Sequence, residues 1–514
     1  MKKCAVILFV VMLASILRAQ QDMIVISRPV TQGTNFVQNT EIQATEYMFQ
    51  ERIDKFNIDT ASGTVAVHLR GLSKNGKYLN NSGSFVLYDL KTQMPLWSRK
   101  INFQTENIEL VGSQVLLLRP GKVTGLNMAT GAEMWTGKNR IYFADKENGI
   151  GVGYKFNSLN PTSDNLEGID LQTGNTIWNR DVDRTYGWND IQRLNDSVLL
   201  ITSAGLHAVN LKTGEGWDYK TPTGKKQTGE AVAKGVGSVL LGVLTGVTVI
   251  PNVDVITGLV SNTWVDSSGI YLASAEKISR LNPSDGDIIW SNDLPKDMCS
   301  ASSIFRKNGT IYLINKGYAF ENGRTRDYGH PFLAIYNEND GSRMFFRSFE
   351  EKKLTLNDVD VQGDTVNLLF YNKIAQFSVS ADSLLAERTF DTQKTGYLYN
   401  FANDNIYFQQ NDTFVRARQD KSKQLIMTSN GNVLILNEKM ETEQELSTTE
   451  YHRLHFGTPA CKLLYKDGNM ALVSNEGKRL AVIKTSSKVQ LKGTKLYETE
   501  GKVLSETDLT DLIR

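Results

Sequence analysis

From about residue 80 onward, apolar and polar residues alternate in short runs broken by glycine, asparagine and aspartate, and one unit of that alternation recurs. An apolar strand ends in Asn or Asp, a Thr-Gly or equivalent turn follows, and an aromatic residue closes the unit. The copies are FVLYDLKTQMPLW to Trp97, VTGLNMATGAEMW to Trp135, LEGIDLQTGNTIW to Trp178 and LHAVNLKTGEGW, one residue shorter, to Trp217. They continue as ISRLNPSDGDIIW to Trp290 and FLAIYNENDGSRMF to Phe345, with a worn copy, IAQFSVSADSLLA, at 374–386. The turn position moves from Gln93 to Gly131, Gly174 and Gly214, steps of 38, 43 and 40 residues, and returns at Gly286 and Gly341. Positions such as Ile169, Leu171 and Ile177 lie in a period-2 context, which sets one face of a short strand against a core. In Asp170–Gly174 the turn reads as a hairpin loop whose glycine takes the left-handed conformation closed to bulkier side chains. No apolar stripe of period 3.6 persists, so the chain is expected to be all-β.

A period near 40 residues is the length of one four-stranded propeller blade. Such a sheet cannot cover both its faces alone, so neighbours must stack, and a large Trp fills the wedge between them. Trp97, Trp135, Trp178, Trp217, Trp290 and Phe345 are therefore assigned to packing. Six clear copies with degenerate ends predict a single β-propeller over residues 20–514, of eight four-stranded blades with seven as the alternative. SNGNVLILNE at 429–438 and NMALVSNEGKRLAVIK at 469–484 read as strand, turn, strand. Strands near Met23–Val30 are expected to join the C-terminal sheet.

The block of Leu-Asp/Asn, Thr-Gly, three residues and Trp resembles the repeat of the pyrroloquinoline-quinone-type β-propellers. That repeat is shared by quinoprotein alcohol dehydrogenases and by the non-catalytic outer-membrane assembly propeller lipoprotein. The resemblance covers roughly residues 80–350 and implies a ring closed by seven or eight blades. In the dehydrogenases it would further imply an adjacent cysteine pair beside the quinone and a calcium held by acidic and amide side chains. Here Cys299 is flanked by Met298 and Ser300, and Cys461 by Ala460 and Lys462, so the pair is absent. Neither the quinone nor calcium is expected to bind.

The period breaks between Trp217 and Trp290, a step of 73 residues, about 30 more than one blade. The surplus falls at about 222–258, and Gly235–Ile250 carries no charge. Val236, Leu240, Leu241, Val243, Leu244, Val247, Val249 and Ile250 make it a candidate docking insertion, since a large exposed apolar loop usually marks a contact site. The alternatives are a lid, a sticky hairpin, a short helix with Gly242 and Gly246 spaced as GxxxG, or a loop folded over the propeller face or into its channel.

Composition narrows the function. Lys plus Arg is 57 and Asp plus Glu 56, a net charge of +1, which leaves no surplus of cations for a phosphate backbone. Three cysteines in 514 residues exclude a disulfide scaffold. Met1, Lys2 and Lys3 precede an apolar run, Cys4–Leu17, and the small residue Ala19 offers a cleavage point, so residues 1–19 read as a signal peptide. The run falls short of the roughly 20 residues that span a bilayer. Export to a periplasmic or extracellular space lowers the prior for chemistry on cytosolic ATP or NADH.

Catalytic motifs fail one by one. His452 and His455 are three apart and would point to opposite faces of a strand. Gly131–Lys138 resembles a phosphate loop only superficially, with Asn139 where Ser or Thr should bind magnesium. Asn337, Asn339, Asp340 and Gly341 place the glycine one position early for a calcium loop, and Ser348 replaces its distal Glu. No catalytic or metal-binding residue is assigned. The favoured reading is a monomeric, non-catalytic propeller of the bacterial cell envelope that binds a protein or surface through loops and the insertion, without nucleic acid or a transmembrane span. The rival is a quinoprotein-type or other exported oxidoreductase with its site in the central channel.

Overall fold

The computed structural model describes residues 25–156, 163–226, 255–321, 324–349 and 355–513. Nearly every element is an antiparallel strand, and the repeats become discrete four-stranded sheets strung in chain order. Sheet 1 runs from Ile53–Asp59 to Met94–Asn102, sheet 2 from Asn107–Val111 to Glu133–Gly137, sheet 3 from Asn139–Asp145 to Thr176–Asp181, and sheet 4 from Asp190–Arg193 to Asp218–Lys220. Sheet 5 spans Trp264–Asp266 to Ile288–Asp293, sheet 6 Ser302–Lys307 to Arg343–Ser348, sheet 7 Leu356–Gln362 to Ser383–Thr389, and sheet 8 Leu398–Phe401 to Thr442–Leu446.

The cores lie between sheets. Phe85 and Trp97 of sheet 1 pack with Ile108 and Leu117 of sheet 2, and Trp178 and Tyr154 of sheet 3 with Leu199 and Ile201 of sheet 4. The same relation links sheets 5 and 6, 6 and 7, and 7 and 8. The circle closes where Tyr47, Tyr497 and Leu504 meet Ile58, Val67 and Tyr88 of sheet 1. This is a β-propeller.

Stacking on both sides alters the pattern that alternation predicts. Thr64–Leu69 and Gly269–Ala273 are buried at every position, because a middle strand has a neighbouring sheet on each face. Such strands read as continuous apolar runs, as in VLLLR and TVNLLF, and only the outer strands keep a polar alternation.

The closing arc is one eleven-stranded sheet, additional to the eight discrete four-stranded sheets. Its order is 413–416, 406–410, 452–457, 461–466, 469–474, 479–484, 26–35, 40–48, 503–508, 495–500 and 490–492. The N-terminal hairpin bridges it. Ile26–Asn35 pairs with Arg479–Lys484, and Thr40–Met48 with Val503–Asp508, so residues from both ends of the chain share a ladder.

Antiparallel order in each sheet puts the turns after its first and third strands, including the Thr-Gly turns, on one face of the disc. The turn after the second strand and the link to the next sheet fall on the opposite face, called here the connection face.

Candidate docking face

The repeat residues act as spokes. Each turn glycine has a positive φ, 69° at Gly131, 76° at Gly174, 75° at Gly214, 76° at Gly286 and 72° at Gly341. Each also lies under the aromatic ring of the preceding sheet: a Cβ on Gly174 would stand 2.4 Å from Trp135, and one on Gly341 2.6 Å from Trp290. Gly131, Gly214 and Gly286 meet Trp97, Trp178 and Trp217 in the same way. The indole N–H then donates across the seam, from Trp97 to Met128 O at 2.8 Å, Trp135 to Leu171 O at 3.1 Å and Trp178 to Leu211 O at 2.7 Å. Trp217 reaches Pro283 O and Trp290 reaches Glu338 O. Phe345, lacking a donor, contributes packing against sheet 7.

A second set of bridges crosses the seams at the inner strands, from residues that the repeat did not single out. Asn57 donates to Leu110 O, Gln192 to Thr263 O, Asn262 to Ile304 O and Asn357 to Leu398 O, at 2.8–3.0 Å. Lys55 pairs with the buried Glu109 at 2.6 Å. Asp358 accepts the Phe401 N–H at 2.8 Å, and burial raises its carboxyl above the ordinary range, while burial lowers the Lys316 ammonium. Amide side chains facing the backbone of the next sheet carry no periodic signal of their own, so only the fold reveals them.

The remaining sequence candidates disperse. His452 packs edge-on against Phe414, whereas His455 contacts Phe456 and Tyr465. The Asn337–Gly341 segment is a hairpin turn in which Gly341 N–H bonds Asn337 O at 3.0 Å. Cys299 and Cys461 are free and buried in different cores, and burial pushes the Cys299 thiol up to about 12. Among the described residues, no group of three or more His, Cys, Asp and Glu side chains is placed to hold a metal ion.

Of the insertion, Val236, Leu240, Leu241, Val243, Leu244, Val247, Val249 and Ile250 lie outside the described residues. Its two ends are described, and they pair as Gly224–Lys226 with Val255–Thr257. A second insertion meets them there. The hairpin Tyr318–Glu321 and Arg324–Asp327 springs from the turn between the second and third strands of sheet 6, and Phe320 and Glu321 pair with Thr257 and Ile256. The result is a four-stranded accessory sheet on the connection face.

Its base is fixed to the ring. Leu259 N–H bonds Thr223 O, Ala275 N–H bonds Pro222 O, and Thr223 Oγ1 donates to Ser203 O. On the hairpin side, His330 N–H bonds Met298 O at 3.0 Å, and Ile256, Leu259 and Ala319 form a small apolar core. The same face carries Tyr371, Tyr397 and Tyr399 over sheets 7 and 8, all exposed, with the first two rings 6.2 Å apart. Backbone register slips between Leu398 and Asn400, a bulge that turns Tyr399 outward.

Residues 60–250 match the family model described as outer membrane protein assembly factor BamB. Among solved structures, the crystal structure of BamB from Moraxella catarrhalis is 10% identical, covering 78% of this chain and 96% of that one with a TM-score of 0.27. The computationally designed Ika8 protein is 11% identical over 76% of this chain and 96% of its own, TM-score 0.30. Apo AztD from Citrobacter koseri is 9% identical over 78% and 96%, TM-score 0.30. No curated protein matches the chain.

Proposed function

We propose that this chain is an exported, non-catalytic propeller that serves the bacterial cell envelope as a protein-binding or scaffold module, docking through its connection face. The observation that carries the reading is the accessory sheet: two insertions from different parts of the ring converge on one face and build a structure that ring closure does not require. Loops held on a rigid frame are where binding function concentrates. The family match over 60–250, to a description that names envelope assembly, supports the same reading. Export rests on the signal-like residues 1–19, and no helix among the described residues is long and apolar enough to cross a membrane.

The test places a photo-crosslinking residue at Lys226 or Thr325 on the accessory sheet, and at Thr130 or Asp285 on the opposite face, in cells that make the protein. A discrete protein adduct is expected from the first pair and not the second. Equal crosslinking from both faces, or stoichiometric quinone in the purified protein with alcohol-dependent dye reduction, would overturn the proposal.

A further inference from the structure

The accessory sheet ends in a strand that differs from the other described strands. Among the described residues, Arg324–Asp327 is exposed at all four positions, pairs on one side only, and stands outside the ring, where no following sheet packs on it. Its register shows which backbone groups are free. Tyr328 N–H bonds Gly317 O at 3.1 Å, and the ladder continues through Tyr318 with Asp327, Ala319 with Arg326, Phe320 with Thr325 and Glu321 with Arg324. Bonded and non-bonded pairs alternate in an antiparallel ladder. Arg326 and Arg324 therefore turn their N–H and C=O groups inward, and Thr325 and Asp327 turn theirs outward to the open edge.

The side chains are sorted as well. Arg324 and Arg326, two apart, share one face of the strand with Glu321, whose carboxylate holds Arg326 Nη1 at 2.6 Å. Arg324 has no ion-pair partner among the described residues. Thr325 lies on the other face beside Phe320. Exposed edges are ready templates for another strand, and charged side chains along one select what is allowed to pair. Opposite charges directly across two strands stabilise the pair, and like charges repel.

We infer that the Arg324–Asp327 edge is a strand-addition site for an extended segment of a partner protein that carries acidic residues at alternate positions and apolar or β-branched residues between them. The backbone bonds go to Thr325 and Asp327, and the acidic side chains lie across from Arg324 and Arg326. This mode draws affinity from main-chain bonds and specificity from alternate side chains. It deepens the docking-face reading by naming the chemistry of the partner, and rests on that reading.

The probe is a fluorescein-labelled peptide of about nine residues, the length of a single strand, alternating glutamate with valine. It is titrated against the full chain by fluorescence anisotropy beside a lysine–valine control. The glutamate peptide should bind and the lysine peptide should not, with affinity falling as salt rises. Thr325→Pro removes an outward donor without touching the inner ladder and should weaken binding at least about tenfold, because proline has no N–H to give. Combined Arg324→Glu and Arg326→Glu, both at exposed positions, should reverse the preference between the two peptides.

Equal binding of both peptides, no binding of either, or no effect of Thr325→Pro and of the double charge reversal would sink the inference. Concentration-dependent self-association in sedimentation, abolished by Thr325→Pro, would also overturn it by making a second copy the occupant. If crosslinks from the accessory sheet persist while the peptide fails, strand addition falls and the docking face stands.

Discussion

At single positions, the decisive contact is an indole against a glycine. Trp178 fills the seam between sheets 3 and 4 and spends its N–H on Leu211 O, and Gly214 leaves room for the ring. Trp178→Ala should cost about 3–5 kcal/mol, the range for deleting a large buried aromatic, read as a lowered midpoint in thermal unfolding. Gly174→Val should also lower the midpoint, since it places a β-branched residue at a φ of 76° against the Trp135 ring. A second residue-scale effect is acidic. His68 is buried between Phe85 and Phe103 with its Nε2 2.7 Å from Ile108 O, and burial, reinforced by the Lys55 charge, lowers it to about 3. The unfolded chain takes up that proton near pH 6.5 and the folded one does not. Stability therefore falls as pH drops from about 6.5 toward about 3, and His68→Gln should flatten part of that slope in denaturant titrations at pH 7 and pH 5.

At the scale of elements, the accessory sheet separates into dispensable and supporting parts. Replacing the 318–327 hairpin with a short turn between Asn315 and Phe332 should leave the ring's thermal transition nearly in place. The same change should raise amide exchange at Val255–Thr257, which lose their pairing partner. A collapse of the whole transition would show that the hairpin belongs to the ring core. This hairpin is masked by charges that look like any solvated loop, although the step from Gly286 to Gly341, 55 residues against a period near 40, leaves room for YAFENGRTRD. The outer hairpins were legible because Thr-Gly and Trp recur at fixed spacing and each has a local physical job. The hairpin at 406–416 was equally hidden: it packs Ile406 against sheet 8 and, as the first two strands of the closing sheet, sets Tyr407 and Phe414 with Leu464 and Val473, and its residues match no repeat. Repeat spacing shows which turns exist, but long-range pairing decides which strands sit beside them.

For the whole molecule, the all-β ring follows from two layers of cross-seam bonding, indoles at the rim and amides at the hub. Its period was readable in the chain, whereas its closure was readable only as an expectation that early strands join late ones. The structure makes that junction extensive, through the ladder from 479–484 across 26–48 to 490–508. Removing residues 25–48 should expose Leu504 and Tyr497, strip the seam to sheet 1, and replace a cooperative melt with a broad, lowered one in calorimetry. A melt that stays sharp would mean that the seam contributes little.

That junction also imposes an order of events on biosynthesis. A polypeptide made from its amino end presents the 26–48 hairpin more than 400 residues before 479–484 and 503–508, the ladder partners of that hairpin. Tyr47 can meet Tyr88 of sheet 1 early, but Ile42, which packs with Leu463, Leu472 and Leu496, has nothing native to rest on until those residues are made, and until then the nascent chain is open to proteases and to holdase chaperones.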